Sequence, residues 1–367
     1  MLKILNFSLK IPYFVKYLNI KIGKNTFLLW EPCTESHGEI IPGFAKYFID
    51  LGYEVSILMN PKRNKEGLFH NFPKSKKKKL FFNNLELDEI IYCLSKNALQ
   101  SSNNKRAKGI IITTARNVSL PDSKYKDKTS FFKPEDKVLL VEHDVKKPID
   151  EGAWNNDIIT LAPINYKGQN SIVINPHYFG NFDLKNTKNT IKNFIIIGAL
   201  DYKRRNFNQL FDALDNLAQY QNDFKITVIG NGDYNIIPKH LRKFFDIKGR
   251  LDFKKMYKEI KNAHFILPLL DETQESHKRY ITTGTSGTFQ LSLGFNKPCI
   301  IAEKFALPRL LNADNAIIYT ENNLQNGIKE ALCMDEENYL KLCANLQTTA
   351  DNIYEESLRN LKFLIEK

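Results

Sequence analysis

Long apolar runs are absent from the sequence. No stretch reaches about eighteen consecutive apolar residues, the length that a membrane-spanning helix needs. The first 25 residues are interrupted by Lys3, Lys10, Lys16 and Lys21, unlike the unbroken apolar core of a secretory signal peptide. We therefore expect a cytoplasmic protein.

Cysteine is scarce, and its spacing indicates no cross-linking. Five cysteines occur among 367 residues, without a C-x-x-C pair or the ligand spacing of a zinc finger. Neither a disulfide framework nor a structural metal is implied. The sequence also has no Asp-x-Asp at a predicted strand end, so it does not require a metal cofactor.

Acidic residues are outnumbered by basic ones. Lys and Arg number 53 against 41 Asp and Glu, which gives a formal net charge of +12. This excess suggests an anionic partner such as nucleic acid, a membrane surface or a phosphorylated substrate, although a lysine-rich composition can equally reflect an AT-rich genome. No nucleic-acid-binding motif is found, and aromatic residues interleave with the basic ones in one segment alone. We expect no nucleic acid partner.

That one segment is PKSKKKKLFF, residues 73–82. We predict that it forms a surface loop. Each lysine near an anionic bilayer contributes about 1 kcal/mol of binding free energy. The run from Lys74 to Lys79 would therefore suit a peripheral position on the inner face of the cytoplasmic membrane, and a solvated loop is an equal alternative.

What the sequence does contain is material for two α/β domains. Hydrophobic residues make up 43% of its 367 residues, and aromatic residues 12%, as in globular proteins. Strands predicted over 27–30 and 53–59 flank a helix whose apolar stripe runs from Ile40 to Leu51, ending at Gly52. Short β-branched strands follow at 109–113, 137–142, 157–161 and 171–175. The pattern favours a largely parallel sheet.

A second series of the same kind follows a polar segment. It comprises predicted strands at 194–198, 224–230, 245–249, 264–268 and 299–302, a helix capped by Asn206 with a stripe from Phe207 to Leu217, and a helix over 253–262. A last helix is predicted from Glu337 to Lys367. We predict a first domain over 1–180, a linker over 181–192, a second domain over 193–345, and a terminal helix over 346–367 that packs back on the first domain.

A loop rich in glycine and threonine precedes a predicted helix at residues 282–288. Its free backbone N–H groups and the helix dipole would face an anion, and its glycines allow close approach. An ordinary turn entering a helix is the alternative. The residues of this candidate anion cradle are Gly284, Thr285, Ser286, Gly287 and Thr288.

Seven segments in the same order carry a resemblance to a known family. They are GEIIPGFAKYFIDLGYEV, KVLLVEHDV, SIVINPHYF, NFIIIGALDYKRRNFNQLFDAL, KITVIGNGDY, FDIKGRLDFKKMYKEIKNAHFILPL and SGTFQLSLGFNKPCIIAE. This order, from about Phe27 to Ala302, resembles the GT-B nucleotide-sugar glycosyltransferases, in the large family of phosphatidylinositol mannosyltransferase and sucrose synthase. The resemblance implies two Rossmann-like domains facing across a central cleft.

The same resemblance implies an activity. The expected enzyme, hexosyltransferase-like, moves a sugar from a nucleoside-diphosphate-sugar to a hydroxyl of a glycan, in lipopolysaccharide, lipooligosaccharide or capsule synthesis. Two alternatives stay open: a non-hydrolysing nucleotide-sugar epimerase, which needs acid and base carboxylates in the cleft, and a basic module that binds polyanions.

Several site residues follow from the resemblance. His143 would touch the donor sugar or lie beside the reacting centre, and Asp144 would orient the loop. Where the family has a phosphate-binding Arg and Lys, this chain has Ala199 at the Arg position and a cluster of Lys203, Arg204 and Arg205 near the Lys position. Arg205 is the preferred diphosphate contact because a guanidinium binds phosphate oxygens in pairs.

The chain departs from the family at its paired glutamates. Phe289 and Gln290 stand near the second position, so the retaining stereochemistry and the glutamate roles do not transfer. Phosphate and sugar contacts are expected to pass instead to residues 282–288, with His277–Tyr280 just upstream. Glu303 could accept from ribose hydroxyls, and a plain surface glutamate is an equal alternative.

The first predicted strand also ends beside candidate bases. Glu35 and His37 follow its carboxyl end, where ligands of open α/β sheets bind. Either could deprotonate an acceptor hydroxyl if the enzyme inverts, and His37 could equally do no more than begin the helix. Positive groups and a helix dipole could stabilise the leaving diphosphate without a metal.

Overall fold

The computed structural model describes residues 20–33, 37–86, 90, 107–115, 137–155, 157–182, 191–217, 223–320 and 323–367. These residues fall into two compact units. The first unit holds the described residues up to Lys65 and those from Pro73 to Val141, and the second unit holds Glu66–Phe72 and Glu142–Lys367. The domain boundaries predicted from the sequence stay predictions.

The first unit is built on a parallel sheet. Its strands are β1 (Thr26–Trp30), β2 (Glu54–Met59), β3 (Leu80–Asn84), β4 (Gly109–Ile112) and β5 (Val138–Glu142), in the order β3-β2-β1-β4-β5, all paired in parallel. Helix α1 (Ile41–Asp50) follows β1, and eight of its ten residues are buried. The short helices α2 (Pro61–Lys65) and α3 (Lys74–Lys77) lie between β2 and β3. The predicted strand-helix-strand unit is confirmed.

The lysine-rich segment is not the surface loop that the sequence suggested. Lys74–Lys77 forms the helical turn α3, and β3 begins at Leu80, where Leu80 and Asn83 are buried. The reason is sheet pairing: Val55 to Met59 of β2 align with Leu80 to Asn84 and supply backbone partners. Lys76 forms an ion pair with Asp50 at the end of α1, which holds the turn against its own unit.

The second unit contains a second parallel sheet. Strands β8 (Lys192–Ile197), β9 (Phe224–Ile229), β10 (Phe245–Gly249) and β11 (Phe265–Ile266) pair in the order β10-β9-β8-β11. Strands β12 (Ile300–Ala302) and β13 (Ile317–Tyr319) form a parallel pair, and a bridge between Ile266 and Cys299 links them to β11. The short pair β6 (Ile159–Thr160) and β7 (Ile172–Val173) also belongs to this unit. The sequence suggested that the strand at 299–302 is the last one, and this was wrong, because β13 follows β12 and pairs with it.

The helices of the second unit mostly follow its strands. They are α4 (Lys146–Asp150), α5 (Phe207–Leu217), α6 (Phe253–Asn262), α7 (Glu275–Thr282), α8 (Gly287–Phe295), α9 (Glu303–Ala306), α10 (Leu324–Cys333) and α11 (Glu336–Glu366), with 3-10 turns at Tyr234–Ile236, Lys239–Phe244 and Leu307–Arg309. The apolar core includes Phe194, Ile196, Val228, Phe265 and Leu324. Asn206 caps α5 as predicted, its Oδ1 accepting from the N–H of Gln209 at 3.1 Å.

The long last helix, α11, packs within the second unit. Ser357 Oγ accepts from the N–H of Asn175 at 3.0 Å, and Asn360 Nδ2 donates to the carbonyl of Val173 at 2.9 Å. The helix runs unbroken through residues 345 and 346, where the sequence analysis divided the domains. Within the described part of the chain, no helix is long and apolar enough to cross a membrane.

Two glycines let the ends of β8 and β9 approach each other. A Cβ on Gly230 would collide with the carbonyl oxygen of Gly198, and both residues have positive φ, at 154° and 120°. A side chain at Gly230 would push the strand ends apart, and one at Gly198 would collide with the guanidinium of Arg205. This close approach fixes where the segment after β8, with Lys203 to Arg205, leaves the sheet.

Candidate functional site

The loop that joins α7 to α8, residues 283–286, is the best-formed candidate site in the second unit. Ser286 caps α8: the N–H of Thr288 donates to Ser286 Oγ at 3.4 Å, and the Ser286 hydroxyl donates to Thr288 Oγ1 at 3.2 Å. The helix is anchored by buried Phe289 and Phe295. A capped helix start of this kind directs its remaining N–H groups and its positive dipole end outward.

The segment that carries His143 and Asp144 lies directly on this loop. Asp144 and Gly284 form an antiparallel bridge, and the N–H of Val145 donates to the carbonyl of Thr283 at 2.8 Å. A Cβ on Gly284 would lie 3.0 Å from the carbonyl oxygen of His143, so a side chain there would force the two backbones apart by a few tenths of an ångström. The structure thus brings together two groups of residues that the sequence suggested separately.

One arginine connects the loop to Asp144 on its exposed side. Arg279 Nη1 lies 3.7 Å from Asp144 Oδ2, and its Nη2 donates to the hydroxyl of Tyr280 at 2.8 Å. The guanidinium also lies 4.7 Å from the centre of the Tyr280 ring. Because the Arg279 side chain is 50% exposed, the ion pair is weak, and the arginine is accessible to an anion.

The buried side chain of Arg309 binds the backbone at the end of α7 and in the loop that follows it. Arg309 Nη2 donates to the carbonyl of Tyr280 at 2.6 Å and also to the carbonyl of Gly284. Burial lowers the pKa of Arg309 to about 10, so the side chain is still protonated at neutral pH. A charged donor that binds two loop carbonyls holds the loop in one conformation.

Several polar atoms at the start of α8 are buried without a hydrogen-bond partner among the described residues. They are Thr283 Oγ1, Thr285 Oγ1 and both amide atoms of Gln290, whose residue is 1% exposed. A buried polar group without a partner costs about 1–3 kcal/mol. These atoms could bind an oxygen-rich ligand that reaches the helix start, and they lie in the same stretch as the Ser286 cap.

The segment upstream, His277–Tyr280, serves mainly to fix the loop. His277 is fully buried, and its Nδ1 accepts from the N–H of Asp271 at 2.9 Å. Burial lowers the pKa of His277, which keeps the ring neutral. Lys278 pairs with Glu275 at 2.6 Å on the exposed side of α7. Of these residues, Arg279 is the one suited to bind an anion.

No protein-family model matches the sequence, and a search of curated protein sequences finds no match. The structure is similar to that of AviGT4, a glycosyltransferase involved in avilamycin A biosynthesis, with a TM-score of 0.54 and 9% identity over 92% of this chain and 98% of that one. It is also similar to Anabaena HepE, solved in complex with UDP and glucose, with a TM-score of 0.52 and 13% identity over 92% of this chain and 98% of that one.

The chain has the GT-B fold. The predicted α/β class with two parallel-sheet units is confirmed, and the arrangement of the two units across a cleft stays a prediction. A GT-B fold by itself does not assign residues, so each predicted site residue is placed by its own contacts.

Arg205, the preferred diphosphate contact, is buried. Its Nη1 donates to the carbonyl of Pro268 at 2.8 Å, and its Nη2 donates to the carbonyl of Ile197. Burial lowers the pKa of Arg205 to about 10. In this GT-B chain Arg205 therefore ties the end of β8 to the segment after β11, while Lys203 and Arg204 beside it are exposed.

The remaining predicted residues are dispersed. Glu303 is exposed and begins α9, and its role toward a ribose stays a prediction. His37 belongs to the first unit, where it precedes the 3-10 turn Gly38–Ile40 with φ of 62° and makes no side-chain cap. Glu35 lies outside the described residues.

Sequence reasoning missed Glu31, at the switch point of the first unit. The strand order places β1 and β4 side by side, with β2 and β3 on one side and β5 on the other. Glu31 follows β1 and is 3% exposed. Its carboxyl is hydrogen-bonded to the Thr113 hydroxyl at 2.7 Å, and it accepts from Thr114 Oγ1 at 2.9 Å and from the N–H of Cys33 at 2.6 Å. The available signal was a carboxyl residue directly after a buried strand. In a GT-B unit this is where ligands of an open parallel sheet bind.

Proposed function

We propose that this protein is a glycosyltransferase that moves a sugar from a nucleoside-diphosphate-sugar to a hydroxyl of a glycan. The observation that carries the proposal is the GT-B fold, shared with the glycosyltransferase AviGT4 and with HepE, which was solved with UDP and glucose. The capped start of α8, with buried polar groups that have no partner among the described residues, supports a donor site in the second unit. An oxygen-rich diphosphate has the chemistry that these groups match.

In the proposed mechanism the second unit holds the donor. The diphosphate lies at residues 284–288, where the backbone and the hydroxyls of Thr285, Ser286 and Thr288 donate hydrogen bonds. Lys203, Arg204 and Arg279 supply positive charge toward the leaving diphosphate, in place of a metal. His143 lies beside the reacting sugar, on a segment that the Asp144–Gly284 bridge holds against the loop.

The proposed acceptor chemistry rests on the first unit. Its carboxyl strand ends carry Glu31 and His37, and His37 is proposed as the base that takes the proton of the acceptor hydroxyl. We assign the acceptor to a lipid-linked glycan of lipopolysaccharide, lipooligosaccharide or capsule synthesis because Lys74 and Lys78 are exposed on α3 and after it. Exposed lysines attract an anionic lipid surface, which suits a peripheral cytoplasmic enzyme.

A thermal-shift screen tests the donor part of this function. Purified protein is heated with UDP, GDP, CMP and ADP and their common sugar conjugates, and a ligand of the folded state raises the transition temperature. We expect one nucleoside diphosphate to stabilise the wild type and to have a much smaller effect on Ser286→Ala. If none does at millimolar concentration, the donor site is refuted.

Loss of the Ser286 cap lowers stability by itself, so a matched control is needed. Asp252 caps α6 in the same way, its Oδ1 accepting from the N–H of Lys255 at 2.8 Å. Asp252→Ala should lose about 1 kcal/mol of stability, like Ser286→Ala, and retain the full ligand shift. Donor consumption that depends on an added glycan would then separate a transferase from an epimerase, which turns over the donor alone.

A further inference from the structure

A pocket in the second unit has no part in the proposed transfer. It has a volume of about 470 Å³ and lies between the start of α5, the segment after β11 and the start of α10. Carboxamide side chains from all three elements line it, among them Asn208 and Asn216 of α5, Gln274 before α7, and Asn323 and Gln325 at the start of α10. The volume is within the range of small-ligand sites, roughly 300–1,000 Å³.

The charge of the pocket excludes the anions expected elsewhere on this chain. Asp212 and Asp271 are the charged residues among its described lining, which includes neither lysine nor arginine. In a chain of net charge +12, this wall is locally negative, so it repels phosphate groups. A nucleotide or an acidic glycan would be disfavoured here.

The described residues hold no cluster of three or more His, Cys, Asp or Glu side chains that could bind a metal ion, in this pocket or elsewhere. Asp271 Oδ1 accepts from the N–H and the hydroxyl of Thr273, both at 2.8 Å, and Asp271 Oδ2 accepts from Asn206 Nδ2 at 2.6 Å. Both carboxylate oxygens of Asp271 are therefore hydrogen-bonded within the protein. These bonds hold the Asp271 side chain in one position at the pocket wall.

The pocket lining contains several carboxamides, which can both donate and accept hydrogen bonds. Each carboxamide has an NH₂ donor and a carbonyl acceptor, and a sugar hydroxyl has the same double character. Among the residues that the structure describes, the side chains of Asn208 and Gln274 have no hydrogen-bond partner, so their amides are available to a ligand. Ala213 is the one apolar residue of the described lining, which leaves hydrogen bonding as the means of recognition.

We propose that this pocket binds a neutral saccharide. It is a glycan site separate from the donor site at α8, and it does not depend on glycosyl transfer. Recognition by hydrogen bonds without a stacked aromatic ring gives weak binding, with dissociation constants in the millimolar range.

Saturation-transfer-difference NMR tests the proposal with three neutral probes: maltose, lactose and N,N′-diacetylchitobiose. We expect a signal from at least one of them with the wild-type protein. In the double variant Asn208→Ala/Gln274→Ala, affinity should fall about tenfold. Since neither side chain bonds to the protein, the variant should remain folded, which a thermal melt verifies.

Controls separate the pocket from other binding modes. The double variant Gln169→Ala/Asn170→Ala removes two exposed carboxamides from elsewhere in the second unit and should leave the signal unchanged. UDP should not displace the disaccharide, and glycerol at the same concentration should not compete. The proposal is overturned if all three probes give no signal, if Asn208→Ala/Gln274→Ala binds as the wild type does, or if UDP or glycerol displaces the sugar.

Discussion

The hydroxyl of Thr113 lies 2.7 Å from Glu31 Oε2 and 3.1 Å from the carbonyl oxygen of Trp30. A hydroxyl has one proton, so it can donate to one of these two oxygens alone. A protonated Glu31 satisfies all three groups, because its carboxyl donates to Thr113 and Thr113 then donates to Trp30. Burial raises the pKa of Glu31 to about 8, which agrees with a neutral carboxyl at this point of the sheet.

The raised pKa predicts how stability depends on pH. Between the ordinary value of 4.5 and about 8, the folded state holds a proton on Glu31 that the unfolded state has lost. The contribution of the Glu31 proton to the free energy of unfolding is therefore fully present below pH 4.5. It is lost as pH rises to about 8, by up to about 1.4 kcal/mol per pH unit. Urea unfolding at several pH values should show this fall for the wild type and its absence for Glu31→Gln.

A surface carboxylate provides the control for this effect. Glu151→Gln alters a side chain that is 38% exposed and should leave the pH dependence as in the wild type. An equal pH dependence in Glu31→Gln and the wild type would show that Glu31 is ionised in the folded protein. The prediction that Glu31 is neutral in the folded protein would then be wrong.

Arg309 is predicted to be required for stability. Arg309→Ala removes the charged donor to the carbonyls of Tyr280 and Gly284 and should lower the free energy of unfolding by about 2–3 kcal/mol. Urea denaturation measures the loss. Arg250→Ala is the matched control, since Arg250 is 56% exposed and pairs with Glu66 at 3.3 Å, and it should change stability by less than about 1 kcal/mol. Equal effects would contradict a supporting role for Arg309.

Gly294 is predicted to tolerate no side chain. A Cβ there would collide with the carbonyl oxygen of His177 and lie 2.5 Å from the Phe179 ring. Gly294→Ala should therefore lower the free energy of unfolding by about 1–3 kcal/mol or more, which thermal denaturation measures. Gly152→Ala meets no atom within 4 Å and has φ of 69°, so it should cost about 1–2 kcal/mol from backbone strain alone. A Gly294→Ala variant as stable as the wild type would show that α8 does not pack on residues 177–179 as described.

Arg204 and Arg205 are predicted to differ although they are neighbours. Arg205→Ala should destabilise the protein, because it leaves the carbonyls of Ile197 and Pro268 without their donor. Arg204→Ala should leave stability unchanged and weaken nucleoside-diphosphate binding about tenfold. Urea denaturation and calorimetric titration of each variant distinguish the two roles. If Arg205→Ala is stable and loses binding instead, the original sequence prediction for Arg205 is correct.

Much of the fold was visible in the sequence because its strands are strongly apolar. Segments such as FIII before Gly198 and GIII at Gly109 form buried parallel strands, as predicted. Strand β3 was missed because a lysine run adjoins it, and β13 was missed because it has three residues. In both cases pairing with a neighbouring strand, rather than local pattern, decides the structure.

The site was less predictable because its contacts are tertiary. The Ser286 cap follows from a serine before a helix, which is a local signal. The bridge between Asp144 and Gly284 joins residues 140 positions apart, and the bonds of Arg309 to the loop leave no trace in the sequence around it. The same applies to Arg205, whose burial could not be inferred from the exposed character of the adjacent Lys203 and Arg204.

Hydrogen–deuterium exchange with and without UDP tests the central claim most directly. The account predicts that UDP slows exchange in peptides covering residues 279–290 and 199–206, and that Ser286→Ala reduces this protection while Asp252→Ala does not. Absence of protection in both segments, or protection confined to the carboxamide pocket at α5 and α10, would contradict a donor site at the start of α8.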